Sequence, residues 1–284
     1  MAEASTGTAP PPQHEPAWPG WPVATAICIR FYSRLPVPIL AGESDPHASP
    51  DFRAVPRALP IAALIIALPA ALVLFGAGLA GLAPTLAATL AVTALALATG
   101  AFHEDGLADT ADGLFGGHTA ERRLEIMKDS RVGSYGAIAL GLSLMLRVTA
   151  LASILEAAGA WAATAALLAA APWSRAEGLR LLATQEPARS GGASASVGQP
   201  SRDTAVFALA ASGALALVAA LASPLPVAGL AVGLLLARLA AMGLARLAGR
   251  LIGGQTGDIL GATQQLAEIA IYLGFALALG LGRP

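Results

Sequence analysis

The sequence predicts an all-α fold: a polytopic transmembrane helical bundle of about seven spans, preceded by a short interfacial N-terminal helix. Three observations carry this. Of the 284 residues, 56% are hydrophobic and 12% charged, against about 25% charged in an average soluble domain, and the mean hydropathy is +0.66. The apolar content is mainly Ala and Leu without strand-like alternation, which favours helices over a barrel. Apolar runs near the roughly 20 residues that cross a bilayer recur between polar sections.

Other classes are narrowed by the same numbers. A net charge of −1 gives no bulk attraction to nucleic acid, and none is expected as a partner. Cys28 is the single cysteine, which excludes an intrachain disulfide and multi-cysteine metal patterns. It reads as a small buried apolar residue.

Residues 1–20 are rich in Pro, Ala and small polar residues and lack a basic start followed by an apolar core, so they read as a disordered tail. Residues 21–284 form one integral membrane domain. Between Trp18 and Leu40, Trp18, Trp21, Ile27, Ile29, Phe31 and Tyr32 stand beside Arg30 and Arg34, a mix suited to a helix in the membrane interface. Pro36 and Pro38 end it. Residues 41–56 are turn-like, and their Glu43, Asp45, His47 and Asp51 are too irregularly spaced to suggest ligands. Spans are expected from about Arg57 or Ala58 to Leu79, Pro84 to Phe102, Ala137 to Leu155, Ala160 to Ser174, Ala205 to Leu221, Val227 to Leu247 and Leu266 to Leu281. The fourth is short unless it extends into Arg175 and Glu177.

The turns after spans one, three and five, Ala80–Ala83, Ala157–Gly159 and Ser223–Pro226, contain no Lys or Arg. The polar sections at the other end are rich in Arg. The positive-inside rule places those sections, and any chemistry they carry, in the cytoplasm.

The chemistry concentrates in Glu104-Asp105-Gly106-Leu107-Ala108-Asp109-Thr110-Ala111-Asp112-Gly113. On a helix Asp105, Asp109 and Asp112 fall at about 100°, 140° and 80° from Glu104, so three acids share a face. Four bare carboxylates at a bilayer centre would cost roughly 10 kcal/mol, most of which a divalent cation or a water-lined cavity removes. Carboxylates without Cys, with only His103 adjacent, favour a hard cation such as Mg²⁺ over zinc. Magnesium reaches protein through one or two carboxylates plus substrate phosphates, so acids beside basic residues point to a nucleotide or diphosphate site. Gly106 and Gly113 allow a close neighbour. Arg122, Arg123, Lys128 and Arg131 follow, with Asp129 among them; they suit phosphate oxygens and equally an ordinary positive flank. Gly133, Ser134 and Gly136 can offer backbone N–H groups to an anion. The Gly-rich turn Gly253–Gly261 lacks the Lys of a P-loop and carries Asp258, a further oxygen ligand on the same side. Arg147 and Arg238 lie inside spans, where Arg marks either function or pairing with a buried acid.

Three segments resemble the signature segments of the cobalamin synthase (adenosylcobinamide-GDP ribazoletransferase) family: Glu104–Gly113, Arg122–Gly136 and Gly254–Ala262. Arg34-Leu-Pro-Val-Pro38 and Ser174-Arg175 fit as well. The resemblance runs from about residue 24 over nearly all the chain. It implies a Mg²⁺-dependent integral membrane enzyme of the bacterial cell (inner) membrane. Such an enzyme joins adenosylcobinamide-GDP to α-ribazole or its 5′-phosphate, yielding adenosylcobalamin or its phosphate and GMP, late in cobalamin biosynthesis. Membrane lipid surrounds it, and a homo-oligomer is left open.

On that reading Glu104, Asp105, Asp109, Asp112 and Asp258 hold metal, and Asp109, Asp112, Lys128 and Asp129 are the catalytic candidates. Arg34, Arg122, Arg131, Ser134, Arg175, Gln255 and Thr256 bind substrate. The family pattern is departed from at Ala188–Ser194 and at Gln265, where a Glu is common shortly before Glu268. Two other readings stand beside it. Asp109-Thr-Ala-Asp112-Gly113 resembles the start of the CDP-alcohol phosphotransferase motif of phospholipid synthases, whose continuation is missing. A transporter or cation channel also places acids near spans, but predicts charges spread through several of them.

Overall fold

The computed structural model describes residues 17–43 and 49–281. Most of the expected tail, and Asp45 and His47, lie outside the described residues. The order is α1 (Trp21–Tyr32), a 3₁₀ turn (Pro56–Ala58), α2 (Leu59–Leu79), α3 (Pro84–Thr99), α4 (Phe102–Gly116), α5 (Ala120–Ile126), α6 (Ser134–Thr184), α7 (Ala193–Ser196), α8 (Arg202–Leu221), α9 (Val227–Ile252) and α10 (Gly257–Leu281). The described residues contain no β-strand beyond an isolated bridge between Pro187 and Gln255.

Five helices are long and apolar enough to cross a membrane, and a sixth crossing is added if α3 and α4 count as one bent span. The 51-residue α6 is two helices in line of sequence, broken at Gly159, whose φ of 87° and ψ of 175° are not helical. A residue with a Cβ rarely adopts that φ. Each limb is long enough to cross, which gives the seven spans expected. The second limb continues to Thr184, so Arg175 and Glu177 are helical and buried.

Other boundaries move for identifiable reasons. The N-terminal helix stops at Ser33, where the Oγ donates to Ile29 O (2.6 Å) and accepts from Leu35 N (3.3 Å), ahead of the Pro36–Pro38 pair. It is also more than an interfacial helix: Ala24, Cys28 and Ile29 pack with Phe52, Val55 and Leu59 in a core under the loop, while Trp18 and Trp21 stay exposed. The last span starts at Gly257, nine residues before Leu266, because the polar side chains of Gln264, Gln265 and Glu268 turn inward and are buried. Their polarity masks a continuous helix.

The core at the centre of the bundle is Ala-rich, with Leu74, Leu151, Ile154, Ile271 and Phe275 filling between small residues. Small side chains let helix backbones approach where lipid supplies no hydrophobic drive. Gly229, Gly233 and Gly274 are the tightest instance. A Cβ on Gly274 would run into the backbone of Gly229 and Gly233, and one on Gly233 would lie 2.9 Å from Ile271 Cα.

Gly274→Ala is therefore expected to lower stability by about 1–3 kcal/mol, the cost of overpacking. Gly243→Ala, on the facing helix α9 but with open space around it, should be neutral or stabilising by up to about 1 kcal/mol. Thermal unfolding of the detergent-solubilised variants measures both.

Candidate active site at the polar end of the bundle

The second span ends earlier than Phe102, at a break that creates the site. Gly100 and Ala101 both take left-handed backbone angles (φ 65° and 56°), and α4 leaves α3 at 89°. Ala101 is the only described non-glycine residue with positive φ. Gly100 is needed twice over, since a Cβ there would also sit 2.7 Å from Arg34 Nε. The turn carries α4 out of the apolar run and lays its acids across the polar ends of α6 and α10.

Glycines then set how closely α4 docks. A Cβ on Gly106 would lie 3.0 Å from Asp258 O and 3.4 Å from Gly261 Cα, so α4 and the first turns of α10 cross almost backbone to backbone. The crossing puts Asp105, Asp109 and Asp258 beside one another. Gly113 does the same against Met127 and Arg123 O of the following segment.

The four acids of α4 have different surroundings. Glu104 is buried, and its Oε1 accepts from Arg147 Nη1 at 2.7 Å, while Arg147 Nε donates to Glu268 Oε1 at 2.9 Å. Glu104 Oε2 has no partner among the described residues. Asp112 accepts N–H bonds from Gly133 (2.7 Å) and Gly136 (2.9 Å), holding the first turn of α6; a Cβ on either glycine would collide with its carboxylate. Asp105 is exposed and Asp109 half-buried. These two face Asp258, whose Oδ2 accepts from Thr256 Oγ1 (3.2 Å) and lies 3.6 Å from Arg189 Nη2.

Burial first, then the charges of Asp105, Asp258 and Asp112, push the Asp109 carboxyl up to about 7, with Arg189 opposing. A carboxylate so crowded by like charge gains from a cation beside it. Arg189 is held at this position by the bridge between residues 186–188 and 254–255, in which Gln255 N donates to Glu186 O (2.9 Å) and Ala188 N to Gln255 O (2.8 Å). Gln255 and Thr256 are buried there, and neither end of the Gln255 amide has a partner among the described residues.

The basic segment is placed otherwise. Arg122 pairs with Glu125 on an exposed face, Lys128 is exposed, and Arg131 pairs with Asp129 at the surface. That pair holds the Asp129 carboxyl near 2, and none of these residues is among the charges acting on Asp109. Ser134 opens α6 beside the two glycines that Asp112 binds. Exposed Arg34 lines a polar recess with Arg30, Ser33, Thr99 and Asp105. Arg175 is buried behind α4.

The intramembrane arginines both find acids: Arg147 pairs with Glu104 and Glu268, Arg238 with Glu177 (3.2 Å). The sequence gives no sign of these roles for Glu268, inside the expected last span, or for Gln264 and Arg189, which lie in polar sections; Arg189 is the basic residue beside Asp258. Gln265, where the family pattern often has Glu, accepts from Ser143 Oγ (3.1 Å) and donates to Gln264 Oε1 (3.3 Å), a role a neutral amide fills.

With the geometry in view, the comparisons are specific. The family model described as cobalamin-5-phosphate synthase matches residues 24–276. The chain belongs to that family. Curated relatives named adenosylcobinamide-GDP ribazoletransferase are similar over most of its length. One from Azorhizobium caulinodans is 51% identical over 87% of this chain and 92% of its own. One from Bradyrhizobium diazoefficiens is 49% identical over 90% and 94%, and one from Xanthobacter autotrophicus 48% over 87% and 92%. No solved structure matches. The family match covers α4, the α10 turn and all the residues placed above.

Two outcomes follow for the site. Arg147→Met leaves Glu104 and Glu268 buried without a counter-charge and should cost about 3–5 kcal/mol, while Arg131→Met at the surface should leave the unfolding midpoint unchanged. Asp109 has a folded value above its unfolded one of about 4, so its ionisation works against folding. In chelator, wild type should lose stability relative to Asp109→Asn as pH rises from about 4 through about 7, with no further change above. A gap that opens in the opposite direction contradicts the assigned surroundings.

Proposed function

We infer that this protein transfers the cobinamide phosphoryl group of adenosylcobinamide-GDP to a hydroxyl of α-ribazole or its 5′-phosphate, releasing GMP. The observation that carries the reading is the gathering of Asp105, Asp109 and Asp258 with Arg189 at one polar end of a membrane bundle, in a chain about half identical to proteins named for this activity. The positive-inside rule supports placing that end in the cytoplasm, with the bundle in the bacterial inner membrane.

The donor set suits Mg²⁺. It consists of carboxylate oxygens, and the like-charge crowding on Asp109 is what a divalent cation relieves. Among the described residues no three His, Cys, Asp or Glu side chains close into a metal cage; Mg²⁺ keeps waters and takes phosphate oxygens, so it needs only one or two protein carboxylates. One or two of Asp105, Asp109 and Asp258 would hold it, with Asp112 and Glu104 behind them fixing α4. Bound there, Mg²⁺ supplies charge stabilisation to the phosphates in transfer.

The chain's own groups do the rest. Arg189 and Arg34 are placed to take phosphate oxygens, and Arg122, Lys128 and Arg131 stand on the adjacent segment to meet the nucleotide. The ribazole oxygen attacks phosphorus, the bond from phosphorus to the GMP oxygen breaks, and the hydroxyl proton passes to a carboxylate. A carboxylate of this group left off the metal takes it, and Asp109, flanked by Asp105 and Asp258, is the candidate. Neither a phospholipid synthase nor a channel is favoured by any feature of the site.

In detergent with Mg²⁺, wild type should release GMP from adenosylcobinamide-GDP plus α-ribazole, and chelator should stop it. Asp109→Asn and Asp258→Asn should lower the rate by about 10²-fold or more while unfolding cooperatively. CMP release from a CDP-alcohol, or full activity in both variants, would overturn the reading.

A further inference from the structure

Behind α4 lies an aromatic-walled cavity that the acidic site does not account for. Its walls come from α1, the residue 52 turn, α4, the second limb of α6, α7 and α10. The aromatic side forms one connected cluster: Phe31 lies 4.8 Å from Tyr32, 5.0 Å from Phe52 and 5.8 Å from Phe102, mostly edge to face. Tyr32 stacks flat on His103 at 5.9 Å and 9°.

The polar side is incomplete. Arg175 lines the cavity with 2% of its surface exposed, donates through Nη1 to Ala171 O (3.0 Å), and has neither ion pair nor hydrogen bond at Nε and Nη2 among the described residues. His103 Nε2 is likewise buried and unpartnered. Gln264 is committed elsewhere, to Glu268 (3.0 Å), Ser174 (3.3 Å) and Gln265. Buried donors without acceptors are costly, so an apolar, aromatic-walled space with free guanidinium N–H groups calls for a flat ligand bearing a lone acceptor.

We propose that this cavity seats the aromatic base of the incoming nucleoside, its rings against Phe31, Tyr32, Phe52 and Phe102 and its free ring nitrogen accepting from Arg175. The assignment rests on ribazole transfer being the activity, and it discriminates among ring systems of the two substrates. A corrin ring is far too wide for the space. Guanine brings an amide N–H and an amino group that need several acceptors, and the unpartnered guanidinium atoms at the wall are donors. Benzimidazole presents two fused apolar rings and one free ring nitrogen, which matches. Gly257 and Gly261 line the cavity while Asp258 stands in the same turn of α10. A nucleoside whose base enters here therefore carries its ribose hydroxyls toward the carboxylates. Arg175 is on this account a specificity residue that touches the base, remote from the phosphates.

The test uses full-length protein in lipid nanodiscs with free 5,6-dimethylbenzimidazole as probe. The probe should bind wild type saturably, followed by its own fluorescence, and should compete with α-ribazole but not with adenosylcobinamide-GDP. Ser194→Leu, on short surface helix α7 and facing the cavity, should raise the KM for α-ribazole tenfold or more, leaving kcat and the KM for adenosylcobinamide-GDP within twofold. Arg175→Gln should weaken probe binding by at least tenfold. Failure of the probe to compete, or equal movement of both KM values in Ser194→Leu, overturns the proposal. If wild type releases GMP while either occurs, the base site falls and the activity stands. Saturable probe binding weakened by both substitutions, without GMP release, leaves the base site standing and removes the activity.

Discussion

Arg147, fully buried and bound at once to Glu104 and Glu268, is the interaction on which the rest depends. A guanidinium inside a membrane bundle is tolerated only with its counter-charges beside it, and here they come from α4 and α10. Meeting them fixes both helices against the first limb of α6. Gln264, Gln265, Ser143 and Ser174 extend the network to the second limb. Four chain segments are thereby registered at the depth where the acidic helix must lie, and Glu104, the acid nearest the membrane, acts as the anchor of that helix.

Glycine does the complementary work. Charges can be brought together only as closely as the backbones carrying them, and at Gly106 against Asp258 and Gly261 no side chain intervenes. The same economy lets Asp112 reach two N–H groups of the turn before α6. It fastens α4 at its far end, as Arg147 does at the near end. Between these fixed points Asp105 and Asp109 remain free to face Asp258 and Arg189.

The polar end and the aromatic cavity share α10. One edge of its first turn presents Asp258 to the acids, another closes the space against Arg175 and His103. On the proposed readings, phosphoryl chemistry and base recognition sit on the two sides of this one turn, which sets their separation.

The all-α membrane class, the seven crossings and the concentration of acids at one end were legible because hydropathy and charge are local properties: a run of apolar residues crosses, and Glu104–Gly113 is polar wherever it lies. Arg147 and Arg238 left function and pairing with a buried acid both open, and the side of the membrane placed Asp258 with the acidic helix. What the sequence left undecided was which acid does what. Glu104 and Asp112 look the same as Asp105 and Asp109 until the fold gives the first a guanidinium and the second two backbone donors, and Asp129 looks available until Arg131 folds onto it. Arg175 and Gln264 read as the edges of polar loops until helices extend through them and bury them. The chain by itself determined where charge would be; only tertiary structure decided which charges hold the helices and which are left for chemistry, because the partners come from other chain segments, 21 residues away for Asp112 and Gly133 and 121 for Arg147 and Glu268.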